Sequence, residues 1–97
     1  MKEKKALAVY RLSAGKEKLK AAKILFENGS YKDSVSRSYY AMFTSARALL
    51  ATKSLDSVKH SGVISLFNLH FVKAGIVNKE CGKLLAEAKN IREESDY

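Results

Sequence analysis

The stretch SYKDSVSRSYYAMFTSARALLA, Ser30 to Ala51, decides the fold. Its 22 residues contain no proline and no internal glycine. They predict one helix about 33 Å long at about 1.5 Å per residue. Wound at about 100° per residue, the stretch shows three faces. Tyr31, Val35, Tyr39, Met42, Phe43, Ala46, Leu49 and Leu50 form an apolar core face. Ser34, Ser38, Ala41, Ser45 and Ala48 form a seam of small residues that a neighbouring helix can approach closely. Asp33, Ser36, Arg37, Tyr40, Thr44 and Arg47 form a basic and aromatic third face. A helix with three such faces belongs at the centre of a bundle.

The flanking segments supply its neighbours. Upstream, a helix is expected from about Glu3 to Asn28, with Ala8, Leu12, Gly15, Leu19, Ala22 and Phe26 as a heptad-like seam. Ser13 is an alternative helix start, which would leave a looser arm before it. Gly29 predicts a left-handed cap, and Ser30 with Asp33 predicts an acidic variant of the capping box. Downstream, TKSLDS (residues 52–57) reads as a polar connection whose Ser54, Asp56 or Ser57 can cap the next helix. This third helix is expected from about Val58 to Lys73, apolar on nearly every side, closed by Gly75. Asn78 then caps a fourth, with Leu84, Leu85, Ala88, Ile91 and Ser95 inward. The expectation is an all-α, up-and-down four-helix bundle forming one domain over residues 1–97.

Composition narrows the function classes. A net charge of +8 is concentrated in residues 1–78, while residues 79–97 are close to neutral. The basic portion suits an acidic partner such as RNA or a nucleotide; a solvated lysine face is the plain alternative. No apolar run reaches the length of a membrane span, and Ala6–Tyr10 is too short for a secretory signal, so a cytoplasmic setting is expected. The single Cys81 has neither a disulfide partner nor metal-site company, and no metal or cofactor motif occurs.

The polar residues that could carry chemistry are few. Arg92 falls within the apolar arc of the fourth helix and needs a partner, which Asp96, one turn on, can supply. His60 and His70 lie on apolar faces, either as hydrogen-bonded core residues or as proton-transferring groups. Tyr40, between Arg37 and Arg47, is expected to project away from the core. There it would either stack a nucleic-acid base or lie over the arginine stems.

Three segments together resemble the HEPN domain: GSYKDSVSRSYYAMFTSARALL (Gly29 to Leu50), KHSGVISLFNLHFVKAGIV (Lys59 to Val77) and IREESDY (Ile91 to Tyr97). The resemblance, closest to short stand-alone prokaryotic members, covers nearly the whole chain in order. It implies a helical bundle that commonly pairs into dimers, and work around RNA or nucleotides, often as a toxin beside a nucleotidyltransferase antitoxin. Many such proteins are metal-independent ribonucleases with an arginine, four to six intervening residues, and then a histidine. Arg92 matches the arginine, but Tyr97 stands at the first position allowed to the histidine. The resemblance also implies a final turn or helix that this chain is expected to lack. The expectation is therefore an RNA- or nucleotide-binding module, or one that pairs with a nucleotidyltransferase, without efficient catalysis. Its site residues are Arg37, Tyr40, Arg47, Arg92, Asp96 and Tyr97. The alternatives are a ribonuclease using Arg92, with His60, His70 or Tyr97 as the base, and a purely structural adaptor. A homodimer is expected because the third helix carries Leu66, Leu69 and Val72 outside its main apolar face.

Overall fold

The computed structural model describes residues 2–95. Helix α1 spans Lys2–Glu27, α2 Tyr31–Ala51, α3 His60–Phe67 and α4 Lys79–Ser95. The described residues contain no strand. The result is the all-α bundle that the patterning requires, with α2 at its centre.

The turn between α1 and α2 is short because Gly29 reverses the chain. With φ of +79°, it occupies the left-handed region that suits glycine. Its N–H donates to the Phe26 carbonyl at 3.1 Å, and the Ser30 N–H donates to Leu25 at 2.8 Å, so the last carbonyls of α1 are satisfied. The expected capping box is not formed, since the Ser30 hydroxyl makes no capping hydrogen bond. The backbone turn already fixes the hairpin.

The small-residue seam of α2 receives α1. Ala41 and Ala48 are buried there, and the buried Ser34 hydroxyl donates to the Ala22 carbonyl at 2.8 Å. A Cβ at Gly15 would stand 2.6 Å from Ser45 Oγ and 3.2 Å from the Ala41 carbonyl oxygen. Glycine is therefore the residue that lets the two backbones meet. The α1 helix runs through Ser13 without a break. Its inward line is Ala8, Arg11, Gly15, Lys18, Ala22 and Leu25, not the heptad seam expected from the leucines. Leu12, Leu19 and Phe26 stay 45%, 46% and 62% exposed. The close approach of small residues turns the larger ones to the side.

On its other side α2 builds the core. Tyr39, Phe43, Ala46 and Leu50 pack with Val63, Phe67, Phe71 and Leu85. Tyr31 and Leu49, expected in this face, lie at its ends and are exposed. The third helix continues past Phe67 as a π-helical turn, Asn68–Val72, in which the Lys73 N–H donates to the Asn68 carbonyl at 2.8 Å. Leu69 is exposed, while Leu66 and Val72 are half-buried against the core. Asn78 caps α4 as expected, its Oδ1 accepting the Glu80 N–H at 2.7 Å. Of the expected inward residues of α4, Leu85 is buried and Ala88 is half-buried, whereas Leu84 and Ile91 are exposed. Among the helices α1 packs only on α2, which separates it from α3 and α4. No helix in the described residues is long and apolar enough to cross a membrane.

Candidate functional site

Arg92 is brought onto a cluster of aromatic rings by the crossing of α4 over α2. Its guanidinium carbon lies 5.0 Å from the centroid of the Tyr40 ring and 5.8 Å from that of Tyr39. Both distances suit a cation–π contact. His60, the first residue of α3, joins the same cluster. Its ring centroid is 4.2 Å from that of Phe43, and its Nδ1 lies 2.9 Å from the Tyr39 hydroxyl. Sequence spacing does not reveal this meeting, because the residues come from three separate helices.

Tyr40 does not project away from the core. It is half-buried, edge-on to Tyr39, Phe43 and His60, with Arg92 over its ring. Its role here is to seat the guanidinium. Arg37, one turn before it, is exposed. His70 lies in the π-helical turn, outside this ring cluster; its carbonyl accepts a hydrogen bond from Lys53 Nζ at 3.2 Å. Asp96 and Tyr97 lie outside the described residues, as does the expected Arg92–Asp96 pair.

The electrostatics of the cluster favour neutral rings. Burial pushes the Tyr39 hydroxyl up to about 12, aided by neighbouring Tyr40 and opposed by Arg92. Burial also holds His60 below its ordinary value, and the positive charges of Arg92, Lys89 and Arg47 push in the same direction. The imidazole is therefore neutral at physiological pH. Glu93, one residue beyond Arg92, is engaged by Lys89 at 2.7 Å, and that hydrogen bond holds its carboxyl below the usual range.

Beside His60 opens a cavity of about 470 Å³, lined by Phe43, Arg47, Asp56, Ser57, Val58 and His60. Arg47 is fixed at its edge by Asp56, with Nη2 3.0 Å from Oδ2. Asp56 also accepts from Arg11 Nη2 at 3.0 Å, and Arg11 Nη1 donates to the Arg47 carbonyl at 3.1 Å. Burial works against the charged carboxylate, but the hydrogen bonds from Arg47, the Ser57 N–H and Arg11 bring Asp56 down to about 2. The carboxylate ties α1, α2 and the connection to α3 together at this edge. The only sequence signal for it is that Asp56 and Asp33 are the sole acids between residues 28 and 78.

The HEPN domain model matches residues 8–97. The chain is 48% identical over 86 residues to a Methanocaldococcus jannaschii protein named "Putative toxin", covering 89% of this chain and 64% of that one. It is 47% identical over 74 residues to a UPF0332 protein of Pyrococcus horikoshii, covering 76% and 52% of the two chains. A Thermotoga maritima UPF0332 protein is 42% identical over 97 residues, covering 100% of this chain and 74% of its own length. The matched region thus spans less than two thirds of the first two relatives. No solved structure matches the chain. With the family model matching nearly the whole of an all-α bundle, the chain belongs to the HEPN domain family.

Proposed function

We propose that the chain binds a phosphate-bearing ligand, RNA or a nucleotide, at the cavity lined by Arg47 and His60 and on the neighbouring Arg92, in a toxin–antitoxin-like setting with a nucleotidyltransferase as protein partner. The observation that carries this reading is the place of His60, which shares a cavity with Arg47 on one side and packs on the other against the Tyr40 ring that Arg92 covers. An anion placed there meets the Arg47 guanidinium, which Asp56 holds in position, with the charge of Arg92 close by. Arg92 is already held against the rings of Tyr39 and Tyr40, so little side-chain freedom is lost on binding. The names of the relatives from Methanocaldococcus jannaschii support the toxin-like setting.

Titration of labelled single-stranded RNA and of AMP at two salt concentrations tests the reading. Binding that weakens steeply with salt, and a His60 ring signal whose pKa rises on saturation, is the expected result. An unmoved His60 signal at low salt overturns it.

A second reading, metal-independent cleavage of RNA, is favoured by the Tyr39–His60 contact. A histidine whose Nδ1 is held by a neighbour is an oriented proton-transfer group. Arg92 would then stabilise the phosphate charge that develops in the transition state. Comparison of wild type with Arg92→Ala and His60→Gln on total RNA decides it. Equal cleavage by all three proteins identifies a contaminant and removes this reading.

A further inference from the structure

The side of the molecule where α1 and α4 fail to meet is an apolar groove with α2 as its floor. One half of the groove is a hollow of about 490 Å³ lined by Leu19, Met42, Leu49 and Leu84, among others. The other half, about 450 Å³, is lined by Phe26, Val35, Ala88 and Ile91, among others, and the two halves share Ser38. From Tyr31 to Leu49 the floor runs about 27 Å at about 1.5 Å per residue. Leu19, Phe26, Leu84 and Ile91 line it while 46–62% exposed. Contiguous apolar exposure of this kind marks an interaction surface.

The two rims carry opposite charge. On α1, Lys16 and Lys23 flank Leu19 on the solvent side, with Lys20 further out; all three are exposed. On α4, Glu80, Glu87 and Glu94 recur every seven residues beside Leu84 and Ile91, and they are exposed as well. Seven residues make about 10.5 Å of helix, and Lys16 and Lys23 repeat at the same interval. A second copy of this chain, docked groove to groove, would enclose empty space between two concave floors. A single helix fills the width between α1 and α4, and its own charges can answer both rims.

We propose that this groove receives one amphipathic helix of about five turns from a partner protein. That helix has an apolar stripe facing α2, an acidic flank beside the α1 lysines and a basic flank beside the α4 glutamates. The surface lies across α2 from the Arg92–His60 cluster, and the proposal does not rest on phosphate binding there. Helix-in-groove recognition supplies affinity through the stripe, and the flanks supply selectivity.

Three designed helical peptides with an identical apolar stripe test it: one with an acidic and a basic flank, one with two acidic flanks, and one with two basic flanks. Fluorescence anisotropy with the full chain is expected to rank the mixed peptide about tenfold tighter than either of the others, with the advantage lost at high salt. Leu19→Lys and Leu84→Lys replace half-exposed side chains and should abolish binding while circular dichroism stays unchanged. Ile76→Lys, outside the groove, should leave it intact. The proposal is overturned if the three peptides bind equally or not at all. It is also overturned if sedimentation shows the chain self-associating through Leu19 and Leu84.

Discussion

The hydroxyl of Tyr39 and Nδ1 of His60 stand 2.9 Å apart, joining the most enclosed ring of α2 to the first residue of α3. Tyr39 is fully buried, and its hydroxyl, pushed up to about 12, keeps its proton at any physiological pH. Tyr39→Phe preserves the ring packing and removes one side of the bond. The expected loss is about 1–2 kcal/mol, because a half-buried imidazole nitrogen loses its partner. Urea unfolding with an unchanged m-value is the measurement.

His60 makes stability depend on pH in a defined direction. Its folded pKa lies below the unfolded value of 6.5, so the protonated ring favours the unfolded chain. The contribution is fully present above pH 6.5 and is lost as pH falls through the lower, folded value. Thermal unfolding midpoints are expected to drop between pH 7 and pH 5. The drop should be smaller in His60→Asn, and an equal drop in both proteins would assign it to other groups.

Asp56 acts in a lower window. Its contribution is present above the ordinary carboxylate value of 3.8 and is lost as pH falls through about 2. Because its side chain is 47% exposed, solvent screens the pairs with Arg11 and Arg47. Asp56→Asn is therefore expected to cost about 1 kcal/mol at neutral pH, and less in high salt. Denaturation at low and high ionic strength checks both statements.

Gly15 marks where α1 and α2 come closest. Gly15→Val places branched carbons against Ser45 and the Ala41 carbonyl, which cannot move without shifting α2. Overpacking of about 1–3 kcal/mol should outweigh any gain in helix propensity. Chemical denaturation measures the loss. The same change at exposed Lys16 is expected to cost under about 1 kcal/mol.

How much of the fold and site is legible in the chain depends on how local the cause is. The small-residue seam of α2 is readable because small side chains at helical spacing admit a close neighbour whatever that neighbour is. The core face is readable at Tyr39, Phe43, Ala46 and Leu50 for the same local reason. The orientation of α1 is not, since Leu12, Leu19 and Phe26 form as good a stripe as the line that packs. Only the seam opposite decides between them. At the site, Arg92 is legible from its place in an apolar arc. The burial of Tyr40 and the arrival of His60 are not, because both depend on how α3 and α4 cross α2. The π-helical turn at Asn68–Val72 likewise carries no breaker residue to announce it.

Among the helices α1 packs on α2 alone, its further tie being the exposed Arg11–Asp56 pair, and the main hydrophobic cluster is drawn from the other helices. The first helix can therefore swing away at a cost below that of global unfolding, as a separate cooperative unit. In native-state hydrogen exchange, amides of α1 should form one isotherm of low opening free energy. Those around Leu50 and Val63 should track complete denaturation. The bundle is then two tiers of stability in one short chain, with Gly15 and Ser34 at the boundary where the weaker tier detaches.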